Sequence, residues 1–331
     1  MYLIKPYLQA VKLSLLCLFV LLMQSCSTGP GVWKNDEISS SKREDFHEMN
    51  KELLEALKAG NPQLLENIMS HELLEDHSLN REAHLISLRM KNDNYHMLNE
   101  YYMVHDRRGA HSAGGHIGSD KYTLEYDAVT KEMYMAFFLP EKAQEKMMIT
   151  AVYCKYEYGW KLYSVNMGRY AQNGKNMPEL LRQAGQKLGR HYLVDAINLS
   201  TMAGECAGPN SMWHYANEQL VGMIWNKATS EASKEFVYPY IIKQVPTHPR
   251  IIRIMNRIEP EGTFPVIYYQ SAVKVTDTAA IRRENQAIQK VIGLAIPGMD
   301  KDKKYIYYTA YNEMPNYKKE VNSMDMVQKL Q

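Results

Sequence analysis

Residues 146–168 (KMMITAVYCKYEYGWKLYSVNMG) constrain the fold more than any other stretch. Two runs rich in Val, Ile, Tyr, Met and Trp flank the polar turn Glu157-Tyr158-Gly159. Gly159 is free to take the positive φ that a tight hairpin demands. The pattern predicts a strand–turn–strand unit at the centre of a curved antiparallel sheet. It speaks to architecture and names no chemistry.

The N-terminus speaks to address. Lys5 and Lys12 precede the apolar run 13–22 (LSLLCLFVLL), followed by Met23-Gln24-Ser25-Cys26. A basic start, a short apolar stretch and a small residue before a cut site make a secretory signal over residues 1–25. The run is about half of the roughly 20 residues a spanning helix needs. Ser25-Cys26 resembles the end of a bacterial lipobox, although Met23 and Gln24 depart from the usual pattern. The resemblance implies cleavage before Cys26 and lipidation of its sulfur, with palmitate-like acyl chains anchoring the protein in the bacterial cell envelope, at the outer membrane. Each buried methylene would add about 0.8 kcal/mol of membrane affinity. A conventionally cleaved secreted protein and an uncleaved anchor are the alternatives. The first acidic residues after Cys26, Asp36 and Glu37, are distant, so a periplasm-facing orientation is preferred to surface display.

Residues 26–42 are small, polar and glycine-bearing, and read as a flexible tether. From residue 43 the period is helical. Phe46, Met49, Leu53, Leu54 and Leu57 form one stripe, Gly60 ends it, and Asn61-Pro62 caps and starts a second helix. A third helical segment covers 80–90. Strand-like runs follow at 95–104, 121–126 and 132–139, ahead of the 146–168 hairpin. Helices first and long antiparallel strands after make an α+β domain over residues 43–170. Residues 53–69 (LLEALKAGNPQLLENIM) and 159–168 (GWKLYSVNMG) carry a pattern that resembles the NTF2-like superfamily. The resemblance implies a cone of curved sheet wrapped on a helical lid. It also implies either an Asp–His pair inside the cone or a non-enzymatic binding module.

Residues 170–178 (YAQNGKNMP) read as a linker. A helical hairpin at 179–189 and 190–204 and a long helix at 212–230 are expected next. Strands at 250–258 and 263–275 then flank the loop Glu259-Pro260-Glu261-Gly262. A helix at 276–293, capped by Asp277 or Thr276, precedes a last strand at 305–311 whose tyrosines at 305, 307 and 311 share one face. These make a small second α+β domain over 178–315. A charged tail at 316–331 reads as a frayed helix.

At 331 residues there is room for both domains. A net charge of +2 gives no broad field, so nucleic acid is not an expected partner. The 21 methionines are scattered and read as core filler. Cys154 and Cys206 read as two separate buried thiols, with a disulfide as the alternative. No phosphate-binding glycine loop, GxSxG elbow or HExxH is present in the sequence, and no cofactor is expected.

The dense chemical cluster is 105–120 (HDRRGAHSAGGHIGSD), with His105, His111, His116, Arg107, Arg108 and Asp106 on one glycine-rich stretch. It reads as a long solvated hairpin loop. An anion site on Arg107 and Arg108 and a three-histidine metal face are the sharper alternatives. For an acid–base pair inside the cone the candidates are His96, His105, Asp127 and Tyr153. Glu205, Trp213, His214, Tyr215 and Glu218 surround a helix start, where Trp213 either packs between helices or caps a ligand groove. The ligand-binding candidates are thus His105, Arg107, Arg108 and Tyr153, with Cys26 the lipidation site. The whole reads as a non-catalytic envelope lipoprotein that binds a small molecule or a protein partner. A hydrolase or isomerase using the cone, with or without metal at the His105–His116 loop, and a structural subunit of an envelope assembly are the alternatives.

Overall fold

Strand β5 (Glu132–Pro140) has every residue from Met133 to Pro140 buried, which requires cover on both of its faces. The computed structural model describes residues 29–75, 79–315 and 321–330. It supplies that cover with helices on one side and a second, smaller sheet on the other. The expected signal at 1–25 and the lipidation site Cys26 lie outside the described residues.

β5 sits inside a curled antiparallel sheet of order β1-β2-β5-β6-β7-β8. Its strands are β1 (Gly31–Lys34), β2 (Tyr95–Val104), β5, β6 (Lys146–Tyr156), β7 (Gly159–Gln172) and β8 (Lys175–Asn176). Gly159 closes the β6–β7 hairpin at φ +109°, as the turn chemistry predicts. Bulges between Met97 and Asn99, and between Val152 and Tyr153, interrupt the register and add curvature.

One face of this sheet carries α1 (Ser40–Ala59), α2 (Pro62–Ile68), α3 (His71–Glu75) and α4 (Leu79–Met90). Phe46, Leu53, Ala56 and Leu57 of α1 bury against Tyr102, Tyr134, Phe138 and Tyr153. Gly60, left-handed at φ 62°, ends α1, and its N–H donates to Ala56 and Leu57 carbonyls. Asn61 then caps α2 by accepting from the Gln63 N–H.

The other face is covered by the three-stranded sheet β3 (Gly109–Ile117), β4 (Asp120–Ala128) and β9 (Trp213–Tyr215), with α5 (Met177–Gly189) and α6 (Leu193–Glu205) beside it. Trp213 is fully buried there. Its ring stacks on Tyr122 at 3.7 Å and meets Phe137 edge-on at 5.3 Å. Such pairs add about 0.5–1.5 kcal/mol each beyond their burial.

A second core lies under a sheet of order β10-β11-β12-β13-β14. It is built from β10 (Tyr240–Ile241), β11 (Arg250–Glu259), β12 (Gly262–Gln270), β13 (Tyr305–Tyr311) and β14 (Ser323–Lys329), with α8 (Thr278–Ala295) on its inner face. The α8 cap is Asp277, accepting from Ala280 N–H at 3.0 Å. α7 (Gln219–Glu235) connects the two halves in sequence.

The molecule is mixed α+β, and several expectations need correction. Residues 105–120, expected as a solvated loop, mostly form β3 and the start of β4, because alternate residues Ala113, Tyr122 and Leu124 find an inner face to bury. Residues 31–42, inside the expected tether, form β1, a short 3-10 turn and the start of α1. The 170–178 linker is instead the β7–β8 hairpin. Its Asn176 makes a reciprocal cap with Glu179 that starts α5. Tyr170, Met177, Leu180 and Met202 share the first core, so a boundary at 170–178 cuts through packed residues. The 212–230 helix begins only at Gln219, since residues 213–215 pair with β4. The tail holds β14 rather than a helix; residues 316–320 and 331 lie outside the described residues. Cys154 and Cys206 are separate buried thiols, as expected, though within one core cluster. Burial pushes both up to about 12.

The close approach of β3 to the main sheet rests on Gly115. A Cβ there would fall 2.3 Å from both the Tyr101 hydroxyl and Tyr122 Cζ, whereas one on Gly114 meets nothing within 4 Å. Gly115→Ala is therefore expected to cost about 1–3 kcal/mol by overpacking. Gly114→Ala should stay within about 0.5 kcal/mol, as surface changes do. Urea unfolding of the two variants checks the contrast.

Candidate functional site

The helical side of the main sheet opens in a cleft of about 480 Å³ between α1, the end of α4, β2 and β5. α1 lines it with His47, Asn50, Lys51, Leu54, Glu55 and Lys58, which recur at helical spacing and so lie on one stripe. Met90, Met97 and Phe138 make an apolar floor, and Asp93, Asn94, Tyr95 and Glu141 a polar rim. That size and mixture suit a small amphiphilic molecule.

At one end of the cleft stands a connected polar chain. His47 Nε2 lies 3.0 Å from Glu100 Oε1. The Tyr134 hydroxyl donates to Glu100 Oε2 at 2.7 Å, and Asn50 Nδ2 donates to the Tyr134 oxygen at 2.7 Å. The Glu100 backbone N–H is held by Asn35 Oδ1 at 2.9 Å. The Glu100 side chain is 4% exposed and that of His47 49%. A buried carboxylate thus backs a half-exposed imidazole. Burial, and then the charge of Glu100, hold the Tyr134 phenol far above its ordinary range, so it stays a donor.

Neutral His47 with its proton on Nε2 donates to Glu100 and leaves Nδ1 as an acceptor; protonated, it forms an ion pair with the same carboxylate. The arrangement can orient a hydrogen bond to a ligand or accept a proton from one. Asn50 Oδ1 is buried beneath the cleft wall without a hydrogen-bond partner.

The β2 bulge explains why Glu100 faces the helices. Met97 and Glu100 are opposite in parity, yet the irregularity at Leu98 brings both to the face of Phe138 and Ala136. Counting by twos from Tyr95 sends Glu100 to the wrong side, and His47 reads in sequence as one polar residue on a helix. An acidic residue inside a strand otherwise rich in apolar residues was the available signal.

The expected acid–base candidates do not come together. His96 and Asp127 are exposed on different sheets. Tyr153 is buried beneath α1, its hydroxyl donating to the Met49 carbonyl at 3.4 Å, and it does not line the cleft before His47. Its place as a ligand contact is withdrawn, because strand alternation turns it into the helix-side core.

His105, Arg107 and Arg108 do come together. They line a separate hollow of about 590 Å³ with Gly29, Pro30, Asp106, Thr130 and Lys131. His105 is buried with Nε2 3.1 Å from the Tyr126 hydroxyl. Burial and then neighbouring His111 hold its pKa below the ordinary histidine value. His105 and His111 rings lie 4.7 Å apart. His116 pairs with Lys121 at the far end of β3, five residues beyond His111, which pairs with Tyr126. That is about 17 Å along a strand, so the three-histidine metal face does not form. Among the described residues no three His, Cys, Asp or Glu side chains gather at metal-binding distance. Trp213 is core, while His214 turns outward and meets Glu218 at 3.5 Å. Glu205 lies apart from that pair, accepting from Arg169 and Gln172.

Comparisons with known proteins found no matching family model, no matching curated protein and no matching solved structure. Among the described residues no helix is long and apolar enough to cross a membrane.

Tyr134 is the keystone of the polar chain. Tyr134→Phe would leave Glu100 Oε2 and Asn50 Nδ2 buried without partners, at a cost of about 1–3 kcal/mol. His47→Gln, at a half-exposed position, is expected to cost under about 1 kcal/mol. Urea midpoints of the two variants test this order.

Proposed function

We propose that the chain is a lipid-anchored protein of the bacterial envelope, with an NTF2-like N-terminal unit that binds a small amphiphilic ligand in the cleft before His47. The observation that carries this reading is the cleft itself. An apolar floor of Met90, Met97 and Phe138 ends at a half-exposed imidazole backed by a buried carboxylate. Apolar contact supplies affinity, and the His47–Glu100 pair fixes orientation. Helices laid against the inner face of a curled antiparallel sheet support the NTF2-like assignment. The apolar run before Ser25-Cys26 supports the anchor.

A second reading has a specific observation behind it. An imidazole 3.0 Å from a buried carboxylate is the pairing that general-base chemistry uses, and would make the bound molecule a substrate.

Native mass spectrometry of the full chain, released from its own membranes in mild detergent, tests the proposal. The expected result is an added small-molecule mass that Leu54→Trp, which fills the cleft from α1, removes without unfolding the protein. A wild-type chain with no added mass, or a Leu54→Trp chain that keeps it, contradicts the cleft as the site. If His47→Gln retains the mass but ends its conversion to a product, the acid–base reading replaces simple binding.

A further inference from the structure

The hollow lined by Gly29, Pro30, His105, Asp106, Arg107, Arg108, Thr130 and Lys131 is not used by the ligand cleft. β1 pairs antiparallel with β2, Gly31 opposite Val104. The chain therefore enters the fold beside the point where residues 105–108 leave β2. The His105 N–H bonds to the Lys131 carbonyl at 2.8 Å, which brings the turn after β4 to the same place. Topology thus sets Arg107, Arg108 and Lys131 around the first described residues of the chain.

Among the described residues neither guanidinium nor the Lys131 ammonium makes an ion pair or a side-chain hydrogen bond. Other surface cations around the sheet do find partners: Lys42 and Lys155 meet Glu132, Arg169 meets Glu205, and Lys34, Lys146 and Lys161 donate to backbone carbonyls. Among the described residues Asp106 is the one acidic side chain in the lining, against three cations. Its wall also holds a buried histidine, His105, 5% exposed, whose Nδ1 has no partner. Burial pushes the Tyr126 phenol up to about 12, so it remains protonated. When its hydroxyl donates to His105 Nε2, the His105 proton sits on Nδ1, which is enclosed by protein and does not open into the hollow. Two arginines and a lysine in one concavity match the oxygens of a phosphate group.

Position selects the source of that phosphate. Gly29 is three residues from Cys26, at most about 11 Å of extended chain. An acylated Cys26 would hold this hollow at the level of lipid headgroups.

We propose that the hollow binds the phosphate of an anionic phospholipid headgroup, so that Arg107, Arg108 and Lys131 seat the protein against the membrane beside its anchor. The choice of a lipid source rests on the lipid-anchor reading above; the phosphate chemistry does not.

The full chain in detergent is titrated calorimetrically with dihexanoyl phosphatidylglycerol, dihexanoyl phosphatidylcholine and inorganic phosphate. Expected is saturable binding of phosphatidylglycerol, weakened at least tenfold by Arg107→Gln/Arg108→Gln and by added salt, with phosphatidylcholine and phosphate much weaker. Because both arginines are exposed, the variant should keep the wild-type unfolding temperature, which separates lost binding from lost folding. Inorganic phosphate binding as tightly as phosphatidylglycerol upholds the phosphate site and overturns the lipid source. No binding by any probe, or binding unchanged in the double variant, overturns the site. The mass of the mature N-terminus reports acylation separately. An unacylated chain that still binds phosphatidylglycerol therefore counts against the anchor and not against this site.

Discussion

One sheet buried on both faces is the constraint on which the rest of the structure depends. Met133–Leu139 on β5 and Ile149–Cys154 on β6 carry large side chains on both sides. Each needs a partner layer, since an uncovered face would leave a broad apolar surface in water. α1 to α4 cover one face. The opposite face recruits β3, β4 and β9 through Tyr122, Leu124 and Trp213, and then α5 and α6 through Leu180 and Met202. A segment well beyond the sheet in sequence, residues 213–215, completes this layer. The buried residues of the first core therefore run from Tyr101 to Tyr215, and the nominal domain linker is one of its walls.

The two candidate sites follow from where that packing stops. On the helical side the cleft lies between α1 and the rim of the sheet, beside the packed Phe46 and Tyr134. A buried carboxylate at its end is tolerable because Tyr134 and His47 satisfy both oxygens. At the end of β2, two turns bring their charged side chains around the entering chain. The first site offers apolar contact with a polar terminus. The second offers unneutralised positive charge on a more polar lining. They suit different chemistry, and they lie on separate linings.

Much of the fold was legible in sequence wherever one local signal decided the outcome. Tyr95 and Val104 bound β2, Gly60 and Asn61-Pro62 punctuate the first two helices, and Asp277 caps α8, as expected. Misreadings fall where a distant partner decided. His-Ser-Ala-Gly-Gly-His becomes β3 because Gly115 permits contact with Tyr101 and Tyr122, which no local propensity encodes. Trp213 reads as a helix residue until β4 offers it an edge. The sequence did collect His105, Arg107 and Arg108 as a group, since they are neighbours in the chain. Lys131 and Gly29 join them only through pairing. His47 and Glu100 are 53 residues apart, on a helix and beyond a bulge, and no linear pattern links them.

Hydrogen exchange of the full chain in detergent, read by mass spectrometry at peptide resolution, tests the two-faced sheet most directly. If both layers cover β5, amides of 133–138 exchange only by global unfolding, and those of β4 at 122–124, paired on both sides by β3 and β9, approach the same protection. Rapid exchange across 109–124, at rates typical of an open loop, would contradict the account. It would leave the outer face of β5 without its cover.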